Sequence, residues 1–489
     1  MRSTLVWSVV MLMCAWEPAR GVSAVVSFPA DGARDACTDT PLRITFTGPV
    51  ELGRAGRISV TDTTTRAVVE RIDVAAGPSV QPVGGIDGFR YHPVTIEGNE
   101  VTIHPRHGAF ERGRTYAVEV EEGAFVGTGV AGPEPTAALE WRFSTREDGP
   151  VANASRLVVA ADGSGDFCTL QGALDAIPQD SRVPVTVFVK RGTYREIVCL
   201  YRKHKVTIMG EDRAATVITY ANNERFNGGG GNPYAGAAQP SAADPRAGGA
   251  VYRRGMMLVH QCEDFTLANL TLHNTTPQGG SQAEAIIVNG SPEARTLLID
   301  LTCISFQDTM QVNGRAYITG CHVEGDVDFL WGRGPCFFED CTFRSLRSEA
   351  YLTQVRNPAE HHGFIFLRCA FTGAPGVVGN FLTRVEPHRF PHSEVVLIEC
   401  VVSGAVGAVG WQLQPARDAT AEPDPGRVRF WEYDSRTPEG ETVDVSRRLP
   451  ASRQLDARED AATIDCYRDP IWVLGGWDAR AAARAVATR

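Results

Sequence analysis

The sequence lacks a long apolar run, a surplus of basic charge and a dense set of cysteines. Beyond residue 24 no stretch reaches the ~18 consecutive apolar residues of a membrane-crossing helix, so no membrane span is expected. Lys and Arg total 48 against 58 Asp and Glu, a net charge of -10. That balance argues against a nucleic-acid partner, which a basic face would mark. The 12 Cys in 489 residues are too sparse for a disulfide scaffold. At 43% hydrophobic and 22% charged residues, the composition also excludes a disordered chain. The length admits two to four domains and an ample core.

What is present begins with Arg2, an apolar run over residues 5–15 and the small residues Val22, Ser23 and Ala24. Charge, short apolar core and small-residue exit read as a secretory signal peptide over residues 1–24. The expected location is therefore secreted or periplasmic. Residues 25–146 carry short apolar runs at 42–46, 57–60, 68–74, 101–104, 116–120 and 139–143, several of them alternating. That rhythm predicts a small β-sandwich. A polar stretch over 145–155 reads as a linker.

From residue 156 the rhythm changes. Short β-rich runs recur at 265–272, 297–304, 316–323, 336–343, 363–371 and 395–402. Cys303, Cys321, Cys341, Cys369 and Cys400 hold similar places in them, and Cys262 opens a related run. The successive separations from Cys262 are 41, 18, 20, 28 and 31 residues. A base period near 20 with loop insertions fits stacked coils of a right-handed parallel β-helix better than propeller blades of ~40–45 residues. The cysteines then form an inward ladder of small side chains. A Cys321–Cys341 bridge stays open, because strand spacing lies within disulfide reach. The Gly-rich segment 222–249 lacks the Lys-Ser/Thr ending of a phosphate loop and reads as a surface loop bordering a groove.

Within this region several motifs follow one another: Asp162-Gly163-Ser164-Gly165-Asp166-Phe167, Gly192-Thr193-Tyr194-Arg195-Glu196, Gln282-Ala283-Glu284-Ala285, Phe306-Gln307-Asp308-Thr309-Met310, Gly325-Asp326-Val327-Asp328-Phe329-Leu330-Trp331-Gly332 and Leu382-Thr383-Arg384. In that order they resemble the pectin methylesterase (pectinesterase) family. Gly410-Trp411 and Phe430-Trp431-Glu432-Tyr433 resemble its later elements. The sandwich region, with Pro29–Gly32 before Thr45–Val50, resembles bacterial immunoglobulin-like domains. The expected fold is all-β, a parallel β-helix over 156–480 preceded by an immunoglobulin-like sandwich over 25–146.

The resemblance implies roles. Asp328 matches the nucleophile and Asp308 the general acid, later the base. Gln282 and Gln307 match the oxyanion donors, and Arg384 the residue that holds the nucleophilic carboxylate. Phe306, Phe329, Trp331, Glu386 and Trp411 are expected to contact substrate. The chemistry is coherent without the name: one Asp must be ionised and its neighbour protonated, and an Arg beside one of them keeps that one charged. Asp308 and Asp328 lie 20 residues apart, one coil, so stacking sets them side by side. Asp326, two before Asp328, shares its face if the strand is regular. His260, His273 and His322 read as structural, His388 as a loop residue near substrate, and Arg315, Arg333, Arg356 and Arg389 as groove-lining cations. Where the family has Pro-Trp after its Arg, this chain has Val385-Glu386.

The function implied is hydrolysis of the C6 methyl esters of homogalacturonan, releasing methanol. No cofactor and no metal are expected, because no His/Cys/Asp spacing makes a metal site. The partner is methyl-esterified pectin, and the protein is expected to be a monomer. Alternatives are a related ester or thioester hydrolase, a pectate lyase and a non-catalytic glycan-binding protein.

Overall fold

The computed structural model describes residues 22–128, 132–150, 154–228, 253–416 and 424–487. Most of the signal segment, residues 1–21, lies outside these, as do residues 229–249 of the Gly-rich segment. The described chain forms two compact units.

The first unit comprises residues up to Ala36, Pro41–Pro78 and His92–Thr145. Its sheets are almost wholly antiparallel, with one parallel pairing between Ala33–Ala36 and Leu139–Thr145. Leu42, Ile44 and Phe46 alternate inward along one strand, and Tyr116, Val118 and Val120 along another.

The second unit takes the rest, including Cys37–Thr40 and the hairpin segment Ser79–Tyr91. Two short segments of the N-terminal region thus cluster with the second unit. Val83 and Phe89 of the hairpin are buried in the core of the second unit, and Gly84 lies against the Cys199 carbonyl with φ +58°.

This unit is a parallel β-helix. Parallel strands form one sheet of seventeen and one of eight. Each β-rich run of the sequence is two strands, bent at one residue with left-handed backbone: Asn269, Asp300, Gly320, Asp340, Arg368 and Glu399, all with φ between 50° and 65°. Asn, Asp and Gly dominate these bends because they reach that region most cheaply. The residue after each bend turns into the core. That column reads Leu270, Leu301, Cys321, Cys341, Cys369 and Cys400, all buried. Its stacking is visible in the backbone, where each coil donates to the one below, as from Thr342 N–H to the Cys321 carbonyl at 2.8 Å.

Cys303 does not belong to this column. It stands two residues past Leu301, in register with Leu272 and Val323. Cys262 follows the strand Met257–His260 at a different corner. The apparent step of 18 therefore mixed two columns; the bends from Asp300 through Gly320 to Asp340 are spaced by 20 and 20. All the described cysteines are free thiols, so Cys321 and Cys341 are not bridged. Three C-terminal helices, Ala461–Arg468, Pro470–Val473 and Ala479–Ala487, add to the β architecture. They place Ile464, Tyr467 and Trp477 over an outer sheet face of Tyr317, Phe337, Ile365 and Val396. Among the described residues no helix is long and apolar enough to cross a membrane.

The backbone at Gly332 has φ +146°, and an added Cβ would stand 1.9 Å from the Val312 carbonyl oxygen on the coil below. Backbone faces backbone there, so nothing flexible can yield. Gly332→Ala is expected to cost about 3 kcal/mol, read as a lower urea midpoint with unchanged slope.

Candidate active site

The long strands Met310–Thr319 and Leu330–Glu339 pair in parallel, with Met310 opposite Leu330. Extending this register places Asp308 beside Asp328. The Asp308 N–H donates to the Val327 carbonyl at 3.0 Å, and the Asp328 N–H to the Tyr351 carbonyl at 2.7 Å. Both aspartates have left-handed backbone, φ 66° and 48°, a conformation Asp tolerates better than most residues. Because Asp328 is bent in this way, the segment is not a regular strand. Asp326 is also buried, and its Oδ2 accepts from Gln278 at 3.1 Å.

The register continues downward. Ile286 pairs with Met310, so Glu284 stacks under Asp308. Three carboxylates, Glu284, Asp308 and Asp328, thus occupy equivalent places on successive coils, roughly 4.8 Å apart. All three are buried. An arginine closes each end. Arg384 meets Asp328 with two nitrogens, Nε to Oδ1 at 2.9 Å and Nη2 to Oδ2. Arg254 contacts both Glu284 oxygens through Nε at 2.9 Å and reaches Asp308 Oδ2 through Nη2 at 3.2 Å.

The electrostatics separate the two aspartates. Burial pushes the Asp308 carboxyl well above its ordinary range; the Glu284 charge adds to this and Arg254 opposes it. Burial also raises Asp328, but the Arg384 hydrogen bond and charge pull it back. Two carboxyl groups whose surroundings push their proton affinities apart are suited to acid and nucleophile roles.

Gln282 and Gln307 are half-buried near this column. Gln307 immediately precedes Asp308 and bridges to Val327, while Gln282 Oε1 accepts from Ser281 at 3.0 Å. Phe306 is likewise half-buried. Trp331 is buried beneath two guanidinium groups, Arg254 at 5.5 Å and Arg356 at 5.1 Å from its ring. Beside the column, Arg384 lies over the Tyr351 ring at 4.6 Å and pairs in register with Gln412. Tyr351 and Gln412 also line a cavity of about 540 Å³ with Glu386, His388 and Arg389. Glu386 is paired there with Arg389 at 2.7 Å.

Three expectations need correction. Phe329 and Trp411 are fully buried core residues, not substrate surfaces. Each follows a left-handed residue, Asp328 or Gly410, and turns inward as the residue after a bend does elsewhere in this helix. Trp411 stacks on Phe430 at 5.2 Å. Arg315 is no groove cation either: it donates to the Leu474 carbonyl and lies near Trp477, against the C-terminal segment. Sequence reasoning also gave no role to Arg254, Glu284 or Tyr351. Glu284 carried a signal, since it precedes Asp308 by one coil; Arg254 carried none.

The profile of the pectinesterase family matches residues 156–239 and 246–438, more than half of the chain. That of the bacterial Ig-like domain matches residues 19–145. Pectinesterase 31 of Arabidopsis thaliana is 29% identical over 265 residues, covering 53% of this chain and 78% of that protein. A pectinesterase of Daucus carota is 26% identical over 266 residues, 52% of this chain and 76% of that one. Among solved structures, pectin methylesterase from carrot superposes with a TM-score of 0.52 at 20% identity, over 65% of this chain and 93% of that chain, which speaks to the shared fold. The chain belongs to the pectinesterase family of carboxylic ester hydrolases, with a bacterial Ig-like domain ahead of its β-helix.

Proposed function

We infer that this protein hydrolyses the C6 methyl esters of homogalacturonan, releasing methanol and leaving pectate. The observation that carries the reading is the pair Asp308 and Asp328, stacked on adjacent coils with Arg384 gripping Asp328 in a two-point contact. Asp328 attacks the ester carbonyl carbon as a carboxylate. Gln282 and Gln307 donate to the oxyanion of the tetrahedral intermediate. The C–O bond to the leaving group breaks as Asp308 passes its proton to the departing oxygen, giving methanol and an acyl-Asp328 anhydride. Asp308, now a carboxylate, takes a proton from water as that water attacks the acyl carbon, which frees the galacturonate and restores both aspartates.

Glu386, standing where the family has Trp, has its charge paired by Arg389, which lessens its repulsion of anionic product. The absent indole still removes an aromatic face, and this favours as second reading an ester hydrolase with another substrate. Methanol release from methylated pectin, set against hydrolysis of model acyl esters, separates the two. Activity on the model esters alone, lost on changing Asp328, would overturn the pectin assignment. Gln307→Ala is expected to lower kcat by about 10²-fold, the typical loss of one oxyanion donor, with KM little changed; a rise in KM alone would make it a binding residue. Export through the segment 1–24 is part of the same reading. N-terminal sequencing of protein recovered outside the cytoplasm should begin near residue 25.

A further inference from the structure

The buried pair Glu284–Arg254 takes no part in the cycle above, yet it touches the acid. Glu284 is 0% exposed. Arg254 gives it three contacts, two through Nε at 2.9 Å and one through Nη2 at 2.5 Å. The same Nη2 then reaches Asp308 Oδ2 at 3.2 Å, and Nη1 reaches Glu224 at 3.3 Å. The Trp331 ring covers the guanidinium. A buried ion pair is expensive to keep and contributes little net stability against an apolar replacement. Its place directly beneath the acid asks for another explanation.

We propose that Glu284 and Arg254 form the positioning pair for Asp308: Arg254 fixes one carboxyl oxygen, and Glu284 cancels the guanidinium charge so that Asp308 works as an acid. This rests on reading Asp308 as the general acid. An unpaired guanidinium at hydrogen-bond distance would favour the ionised carboxylate, which has no proton to give to methanol. With Glu284 stacked below, Asp308 faces an ion pair instead of a bare cation. The other charges facing Asp308 are Asp328, which favours protonation, and Arg356, which opposes it; Arg384 is spoken for by Asp328. With Oδ2 held by Arg254, Oδ1 is the oxygen left to serve the leaving group.

Glu284→Gln removes a negative charge and leaves Arg254 acting on Asp308, so Asp308 gives up its proton at lower pH. The alkaline limb of the kcat/KM profile should move down by about 1–3 pH units, while KM at acidic pH stays near the wild-type value. A uniform loss of activity with an unmoved profile would make Glu284 merely structural and sink the proposal. The second readout needs no substrate: in protein labelled with ¹³C-carboxyl Asp, the resonance absent from Asp308→Asn should titrate at lower pH in Glu284→Gln than in wild type. If that resonance moves as expected but wild type releases no methanol from pectin, the substrate reading fails and the positioning pair stands. The double variant Arg254→Met/Glu284→Val, which leaves no buried charge unpaired, covers a failure of Glu284→Gln to fold. It should keep the wild-type alkaline limb and lose about 10-fold or more in kcat, because Asp308 is no longer held. Unchanged kcat in the double variant would overturn the positioning role.

Discussion

Asp328→Asn should reduce methanol release from methylated pectin by ~10⁴-fold or more, as loss of a nucleophile does when the rest of a catalytic group is intact. Asn is the informative replacement. Residue 328 has φ 48°, and Ala there would add backbone strain that Asn avoids. Asn also keeps the shape of the side chain, so Arg384 retains an oxygen to contact. What disappears is the charge and the nucleophilic oxygen. Pectin affinity should be nearly unchanged, measured by equilibrium binding of a methylated oligogalacturonide. Because Asp308 would lose a negative neighbour, its proton would come off at somewhat lower pH, a secondary effect that cannot restore turnover. The same lesion in Asp308→Asn leaves the nucleophile charged and removes only proton transfer, so its deficit should be smaller, about 10²–10⁴-fold. If Asp328→Asn kept more than a few per cent of wild-type activity, the nucleophile would have to be sought elsewhere, with Asp326, a buried carboxylate two residues earlier, the next to test.

The order of these two effects tests what the sequence made readable. The 20-residue spacing of Asp308 and Asp328 is meaningful only once a coil length is known, and the repeating runs supplied one near 20. That inference reached the right pairing through a partly wrong ladder. Cys303 is offset by two from the column of Cys321, Cys341, Cys369 and Cys400, while the bends at Asp300, Gly320 and Asp340 carry the period. Bends are hard to see in sequence because Asn, Asp, Gly, Arg and Glu all serve at that position in this helix. The same blindness explains Phe329 and Trp411. Each sits in a motif beside a functional or Gly residue, but a left-handed neighbour turns it into the core. Arg254 was invisible for a different reason. It lies 54 residues before Asp308, across two coils of unequal length, and no local pattern distinguishes it from Arg253. Glu284 stood in the open, one coil before Asp308, but the relevant coil is 24 residues long and not 20.

The burial of Trp411 leads to the second large effect, which falls on stability. Glu432 is fully buried three coils beyond Asp328. It accepts from Trp411 Nε1 at 3.2 Å, Ser435 at 2.9 Å and Gln454 at 3.3 Å. Arg448 meets both its oxygens, at 2.8 and 3.2 Å, and also donates to the Gly407 carbonyl at 3.1 Å. Glu432→Ala would strand the Arg448 charge, whose side chain is only 5% exposed, and leave the indole N–H without its acceptor. Breaking a buried pair from one side costs about 3–5 kcal/mol, so the urea midpoint should fall steeply. Trp411→Phe is the milder counterpart. It keeps the stacking on Phe430 but removes the N–H, at about 1–2 kcal/mol. Both variants, assayed at a temperature where they remain folded, should show the wild-type KM for methylated pectin. A raised KM in Trp411→Phe with unchanged stability would return Trp411 to the substrate groove. The expected outcome, lost stability with KM intact, makes Glu432, Arg448 and Trp411 the clamp that holds the final coils in place behind Arg384.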